Sequence, residues 1–191
     1  MKQPRVLFVS YFFPPLHAVA CIRTWGMAKA LATRGWQVDV ITPDPGSWIR
    51  RNFHPPGFLE MTAPGGAIRL QTVPLKLRGL TPDRTVCYNR GIGYLVNGFL
   101  RRFFKKFGIE AELGWRGCAS AAVANSDLKA YDLIFVSGGP FCIFPMIEQV
   151  AMKWQLPFAV DYRDLWTCNP HHEPRKTSPA GGRREANERR I

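Results

Sequence analysis

A chain of 191 residues with 46% hydrophobic side chains holds enough apolar material for one globular core, which excludes a wholly disordered protein. Its formal net charge of +12 is high for an enzyme of small molecules and points to an anionic partner: nucleic acid, a phosphate-bearing substrate or an anionic membrane surface. The five cysteines, Cys21, Cys87, Cys118, Cys142 and Cys168, contain no CxxC pair, so neither a zinc site nor a disulfide framework is suggested and a reducing cytoplasm is the simplest setting.

In chain order, Val6 to Val9 is a short, continuous apolar run, as expected for a strand buried on both faces of a parallel sheet. Pro14 and Pro15 end it, because proline cannot continue a ladder. Helical spacing follows from Ile22 to Thr33, with Ile22, Trp25, Ala28 and Ala32 on one stripe and Gly35 as the stop. Trp36 to Ile41 is a second apolar strand, which completes a βαβ unit with an expected right-handed crossover. Residues 43–66, rich in proline and glycine but carrying Trp48, Phe53 and Phe58, read as a long loop with apolar anchors. Ala67 to Val73 is expected to be a third strand.

Ile92, Leu95, Val96, Phe99, Leu100, Phe103, Phe104 and Phe107 keep helical periodicity, with Arg101, Arg102, Lys105 and Lys106 between them. That is an amphipathic helix with a cationic face. Gly114 to Lys129 is expected to be another helix and Tyr131 to Val136 a strand. Ser137-Gly138-Gly139-Pro140 turns into a helix from Phe141 to Trp154, and Phe158 to Val160 is the last strand. Beyond Thr167 the apolar period disappears, and residues 169–191 are expected to be a poorly ordered tail. The sequence shows no signal-peptide pattern and no apolar run near the ~18 residues of a membrane span.

Alternating strands and helices predict an α/β fold with a parallel sheet, whose ligands bind outside the carboxyl ends of the strands. Three segments fall at that edge. The first runs from Tyr11 to Arg23, where a helix N-terminus and the Arg23 guanidinium suit a phosphate, unless Arg23 is a solvated helix residue. At Ser137-Gly138-Gly139-Pro140, the glycines either admit a ligand oxygen to the backbone or serve a turn that needs positive φ. Asp161, Arg163, Asp164 and Trp166 can clamp an anion, bond sugar hydroxyls and stack on a sugar ring, or form an internal ion pair that caps the strand. The GxGxxG fingerprint is absent, which argues against a nicotinamide or flavin dinucleotide. No histidine has metal-ligand spacing with the cysteines, and no metal is expected.

Three pieces of sequence resemble the amino-terminal domain of the family 4 glycosyltransferases, which have the GT-B fold. They are Val6-Leu7-Phe8-Val9-Ser10 with Phe13-Pro14-Pro15 and Arg23; Leu31 to Thr42, close to the family's leucine–glycine–tryptophan–valine signature; and Tyr131-Asp132-Leu133-Ile134 with Pro157 and Asp161 to Trp166. The resemblance covers residues 4–168. It implies a Rossmann-like domain over residues 1–168, one half of a two-domain enzyme that transfers a sugar from a nucleotide-sugar donor to a glycan or lipid-linked acceptor. It further implies retention of configuration, with the nucleotide-sugar as co-substrate and no other cofactor.

On that resemblance Ala18, Val19, Ala20 and Arg23 lie by the donor diphosphate. His17, Gly138, Gly139, Asp161, Arg163, Asp164 and Trp166 line the acceptor side. No residue is singled out as catalytic. The family's glycine pair before the first helix is replaced here by Ala18-Val19-Ala20. A carboxyl-terminal donor domain is expected to be missing, which would leave this chain a non-catalytic half. Family relatives often act on lipid-linked acceptors at the cytoplasmic membrane face, so Arg101, Arg102, Lys105 and Lys106 are expected to meet anionic headgroups, with the apolar stripe of that helix packed on the sheet. The alternative is a basic nucleic-acid-binding or scaffold module without catalysis. No nucleic-acid motif supports it and no nucleic-acid partner is expected.

Overall fold

A computed structural model describes residues 2–15, 19–44, 66–74 and 113–162. Five strands, β1 (Arg5–Ser10), β2 (Gln37–Pro43), β3 (Ile68–Val73), β4 (Leu133–Ser137) and β5 (Phe158–Asp161), form one sheet in the order β3-β2-β1-β4-β5. Every adjacent pair is parallel. Among the described residues three α-helices flank it: α1 (Val19–Thr33), α2 (Leu113–Ala124) and α3 (Phe144–Trp154). This is an α/β, Rossmann-like arrangement.

Strand side chains alternate between the two faces, and here each face has its own core. Val6 and Phe8 of β1 join Val38 and Val40 of β2 and meet Trp25, Ala28 and Ala32 of α1. Leu7 and Val9 join Ile41, Ile134 and Val136 and meet Trp115, Ala119 and Val123 of α2 and Phe144, Ile147 and Ala151 of α3. The sheet is thus covered on both sides, which is why its central strands read as unbroken apolar runs. The chain builds outward from β1 to β2 and β3, then returns to the other side of β1 for β4 and β5. A constant crossover hand then requires the later helices to lie on the opposite face from α1, as they do.

Several boundaries differ from the sequence expectations, each for a local reason. In α1 the buried stripe is Cys21, Trp25, Ala28 and Ala32, whereas Ile22 is 46% exposed. Spacing of four, three and four residues centres the stripe between Cys21 and Trp25, and Ile22 falls on its flank. The helix ends in a Schellman motif: Trp36 N–H donates to the Leu31 carbonyl and Gly35 N–H to the Ala32 carbonyl, with Gly35 at φ +86°.

The expected helix from Gly114 to Lys129 is instead α2 followed by a separate 3₁₀ turn, Leu128–Ala130. Ser126 Oγ donates back to the Ala122 carbonyl at the break, a bond that competes with helix propagation. The helix expected from Phe141 begins as a 3₁₀ turn, Phe141–Ile143, before α3. Pro145 has no N–H to give to the carbonyl four residues back, so it sits in the first turn of α3.

The long loop's residues 45–65, with Trp48, Phe53 and Phe58, lie outside the described residues, as do the helix expected over Ile92 to Phe107, with Arg101, Arg102, Lys105 and Lys106, and residues 163–191. Among the described residues no helix is long and apolar enough to cross a membrane.

Candidate functional site

The strand order reverses direction at β1 and β4, so the crevice where ligands enter such sheets opens outside the carboxyl ends of these two strands. The last residues there form a polar row. Ser10 of β1 pairs with Ser137 of β4, and Ser137 pairs with Asp161 of β5. All three are buried. Two positions earlier along these strands stand Phe8, Phe135 and Ala159, and Phe8 and Phe135 lie on the α1 side. The period of two therefore sends Ser10, Ser137 and Asp161 to that same side.

Arg23 of α1 meets this row. Its Nε–H donates to Asp161 Oδ2 at 3.1 Å and its Nη2–H to Oδ1 at 2.6 Å, a two-bond fork across 138 residues of sequence. Ser137 Oγ donates a third hydrogen bond, to Asp161 Oδ2 at 3.0 Å. The Asp161 side chain is 7% exposed and that of Arg23 50%. The pair is thus asymmetric: a buried carboxylate that accepts three hydrogen bonds holds a guanidinium that still faces water. The hydrogen bond and the negative charge of Asp161 raise the Arg23 pKa above its ordinary value, so the group stays cationic at any working pH.

The loops around the pair are tied down separately. Ser10 Oγ and Thr24 Oγ1 both donate to the Phe12 carbonyl, at 2.9 and 2.7 Å, which fastens the loop after β1 to the strand end and to α1. Gly138 N–H donates to the Asp161 carbonyl at 2.9 Å, so it is already engaged within the protein. A Cβ on Gly138 would stand 2.6 Å from the ring of Phe141 and 2.7 Å from that of Phe144. Gly139 has φ +86°. Ring packing at Gly138 and a positive φ at Gly139 thus account for both glycines. The rings under the turn form a cluster in which Tyr162 stacks on Phe141, with centroids 6.0 Å apart, and meets Phe144 edge-on at 4.9 Å.

Of the residues expected at the donor side, Ala20 is buried, Val19 opens α1, and Ala18 lies outside the described residues. Of those expected at the acceptor side, Asp161, Gly138 and Gly139 come together, while His17, Arg163, Asp164 and Trp166 lie outside the described residues. Arg23 and Asp161, assigned by resemblance to opposite partners of the reaction, are bonded to each other. The internal ion pair weighed for Asp161 is therefore present, with Arg23 as its cation.

Ser10, Thr24 and Ser137 were not singled out by sequence as site residues. Their signal was present for the two serines: each is a hydroxyl that closes a buried apolar strand. Among the described residues no three His, Cys, Asp or Glu side chains gather as a metal site. No protein-family model matches the chain, and no curated protein matches it.

Proposed function

We propose that this chain is the amino-terminal, acceptor-side half of a glycosyltransferase. It would serve the transfer of a sugar from a nucleotide-sugar donor to a glycan or lipid-linked acceptor, as in the retaining family 4 enzymes of GT-B fold that its sequence resembles. The observation that carries the reading is the half-exposed Arg23 guanidinium, held by buried Asp161 at the carboxyl edge of the sheet beside the β1–β4 switch point. A cation fixed at that edge suits a phosphate oxygen of a nucleotide-sugar or of a lipid-linked acceptor, both of which the reaction brings together.

The reading requires a second lobe that holds the donor and stabilises the departing diphosphate, as the resemblance implies. A lobe carrying this site is proposed to bind its substrate and to depend on the second lobe for turnover. Work at the cytoplasmic face of a membrane belongs to the same proposal, with Arg101, Arg102, Lys105 and Lys106 as the headgroup contacts.

Saturation-transfer NMR on the full chain tests the reading. The ligands are a panel of nucleotide-sugars, oligosaccharides and soluble analogues of lipid-linked sugars. Sugar protons of at least one member are expected to receive saturation, and to lose it in Arg23→Ala. A panel in which no sugar proton responds would sink the proposal.

A further inference from the structure

We infer that Ser137, Asp161 and Arg23 form a pre-aligned oxyanion clamp in which only Arg23 touches the ligand, and Asp161 and Ser137 are positioning residues. The ligand class is a phosphate or diphosphate presenting two oxygens. The inference deepens the sugar-transfer reading at the same site and rests on it for the identity of the ligand, though not for the geometry.

A guanidinium carries five N–H groups in one plane. Nε–H and one Nη2–H of Arg23 go to Asp161. The remaining edge, Nη1 with the second hydrogen of Nη2, bonds no acceptor among the described residues. That edge is itself a two-donor fork, the shape that meets phosphate oxygens bidentately. Asp161 has no comparable capacity left. One oxygen accepts from Nη2 and the other from both Nε and Ser137. A carboxylate so engaged and buried is a poor acceptor for a sugar hydroxyl.

What Asp161 does supply is orientation. An arginine half in water at the start of a helix would otherwise sample many rotamers and lose that freedom on binding. The two-point grip removes the cost in advance. Ser137 in turn fixes Asp161, because its hydroxyl is set by the β4–β5 register and not by a flexible loop. The negative charge of Asp161 also offsets part of the cation's attraction, so the clamp favours a ligand of matching shape over any anion that passes. That balance suits a group that must be released again.

Charge and orientation make opposite forecasts for one substitution. Asp161→Asn removes a negative charge near the anion site. If charge alone mattered, binding would tighten. If Asp161 positions Arg23, binding weakens, because the amide presents one acceptor and two donors and cannot grip both nitrogens.

Two probes are titrated into the full chain at fixed salt: inorganic pyrophosphate by calorimetry, and vesicles of phosphatidylcholine with phosphatidic acid by co-sedimentation. Binding of pyrophosphate alone identifies a soluble diphosphate as the source, and binding of the vesicles alone a lipid phosphate. Either result supports the clamp provided that Arg23→Ala weakens it about tenfold, Arg23→Lys nearly as much, and Asp161→Asn several-fold. Binding of neither probe overturns it, as does Asp161→Asn that binds more tightly or Arg23→Lys that binds as the parent does.

Should Asp161→Asn fail to fold by circular dichroism, Arg23→Lys and Ser137→Ala carry the decision. Arg23→Lys keeps the charge at a half-exposed position and loses only the fork. Ser137→Ala is expected to weaken binding modestly, and less than Arg23→Lys. A chain that binds pyrophosphate in this pattern but takes no sugar keeps the clamp and loses the sugar-transfer reading.

Discussion

Both ends of the sheet carry an arginine–aspartate bridge of nearly equal length, yet the two are built for different ends. At the amino end Arg5 Nη2 meets Asp39 Oδ2 at 2.7 Å. At the carboxyl end Arg23 Nη2 meets Asp161 Oδ1 at 2.6 Å. Arg5 shares the face of Leu7 and Val9, the side of α2 and α3, whereas Asp161 shares the side of α1.

The amino-end bridge is enclosed by its surroundings. The Arg5 guanidinium lies over the Tyr131 ring, 5.0 Å from its centroid. The Arg5 backbone N–H donates to Asp132 Oδ2 at 2.8 Å, and Asp132 N–H donates to the Arg5 carbonyl at the same distance. Arg5 Nε and Asp39 Oδ1 are buried and make no hydrogen bond. This bridge closes β1 against β2 and the turn before β4. It is a single-bond contact, imperfectly satisfied, with an aromatic lid. The carboxyl-end bridge is bidentate, its acid accepts three hydrogen bonds, and its cation keeps an open edge. Sequence motif alone cannot tell a staple from a clamp; the distinction lies in which partner is buried and how many donors remain.

If the carboxyl rim is the rigid end, overpacking it should be costly. Gly138→Ala puts a methyl group well inside contact distance of the Phe141 and Phe144 rings, which are themselves packed on Tyr162. A loss of about 2–3 kcal/mol is expected in chemical denaturation. A loss near zero would mean the rings shift freely and the rim is soft, which would remove the pre-alignment argued for Arg23.

The second prediction separates the two bridges. Asp39→Asn leaves Arg5 with its aromatic lid and no anion, and should cost about 1–2 kcal/mol of stability. Its affinity for pyrophosphate should equal that of the parent. Asp161→Asn is expected to weaken that affinity. Equal effects of the two variants on binding would show that the chain's general charge, not the rim, attracts the anion.

Much of this was legible in the sequence, and the part that was not has a clear cause. β1 announced itself because a strand covered on both faces needs an unbroken apolar run such as Val6 to Val9, whereas β3, exposed at four of its six residues, shows only alternation. The rim position of Asp161 followed from its place after such a run. Its partner did not, because Arg23 and Asp161 meet only through the strand order and the β4–β5 register, which local patterning does not encode. Ile22 was misjudged for a related reason. A stripe drawn through Trp25 fits either neighbour one turn earlier, and tertiary packing buries Cys21 in the core shared with Leu7 and Val9 while Ile22 stays 46% exposed. The break at Ser126 depended on one side-chain hydrogen bond.

A smaller effect concerns the turn from α3 into β5, on the amino side of the sheet. Gln155 has φ 52°, ψ 38° and closes a Schellman motif, with its N–H donating to the Met152 carbonyl and that of Leu156 to the Ala151 carbonyl. A side chain in that left-handed conformation costs about 1 kcal/mol. Gln155→Gly should therefore raise stability by about 0.5–1 kcal/mol, since the position already requires what glycine supplies. Pyrophosphate affinity should stay unchanged. An accompanying change in affinity would couple the two ends of the sheet and blur the distinction drawn between them.

The last effect is silent at neutral pH and isolates the amino end. Burial first, and then the negative charge of Asp39, push the Tyr131 pKa up to about 12, against the positive charge of Arg5. The fold thus favours the neutral phenol over the phenolate. For an acid whose folded pKa lies above its unfolded value, stability is full below the unfolded value, ~10 for tyrosine, and declines as pH rises from there to the folded value. Tyr131→Phe removes this link. Between pH ~10 and ~12 the stability of the parent should fall more steeply than that of the variant, while the two keep the same pH dependence below ~9. Absorbance titration of the phenols should show one late-ionising phenol lost in Tyr131→Phe. If the late-ionising phenols are the same in number in both, Tyr131 is less enclosed than its raised pKa requires, and the aromatic lid over Arg5 is looser than its 5.0 Å separation indicates.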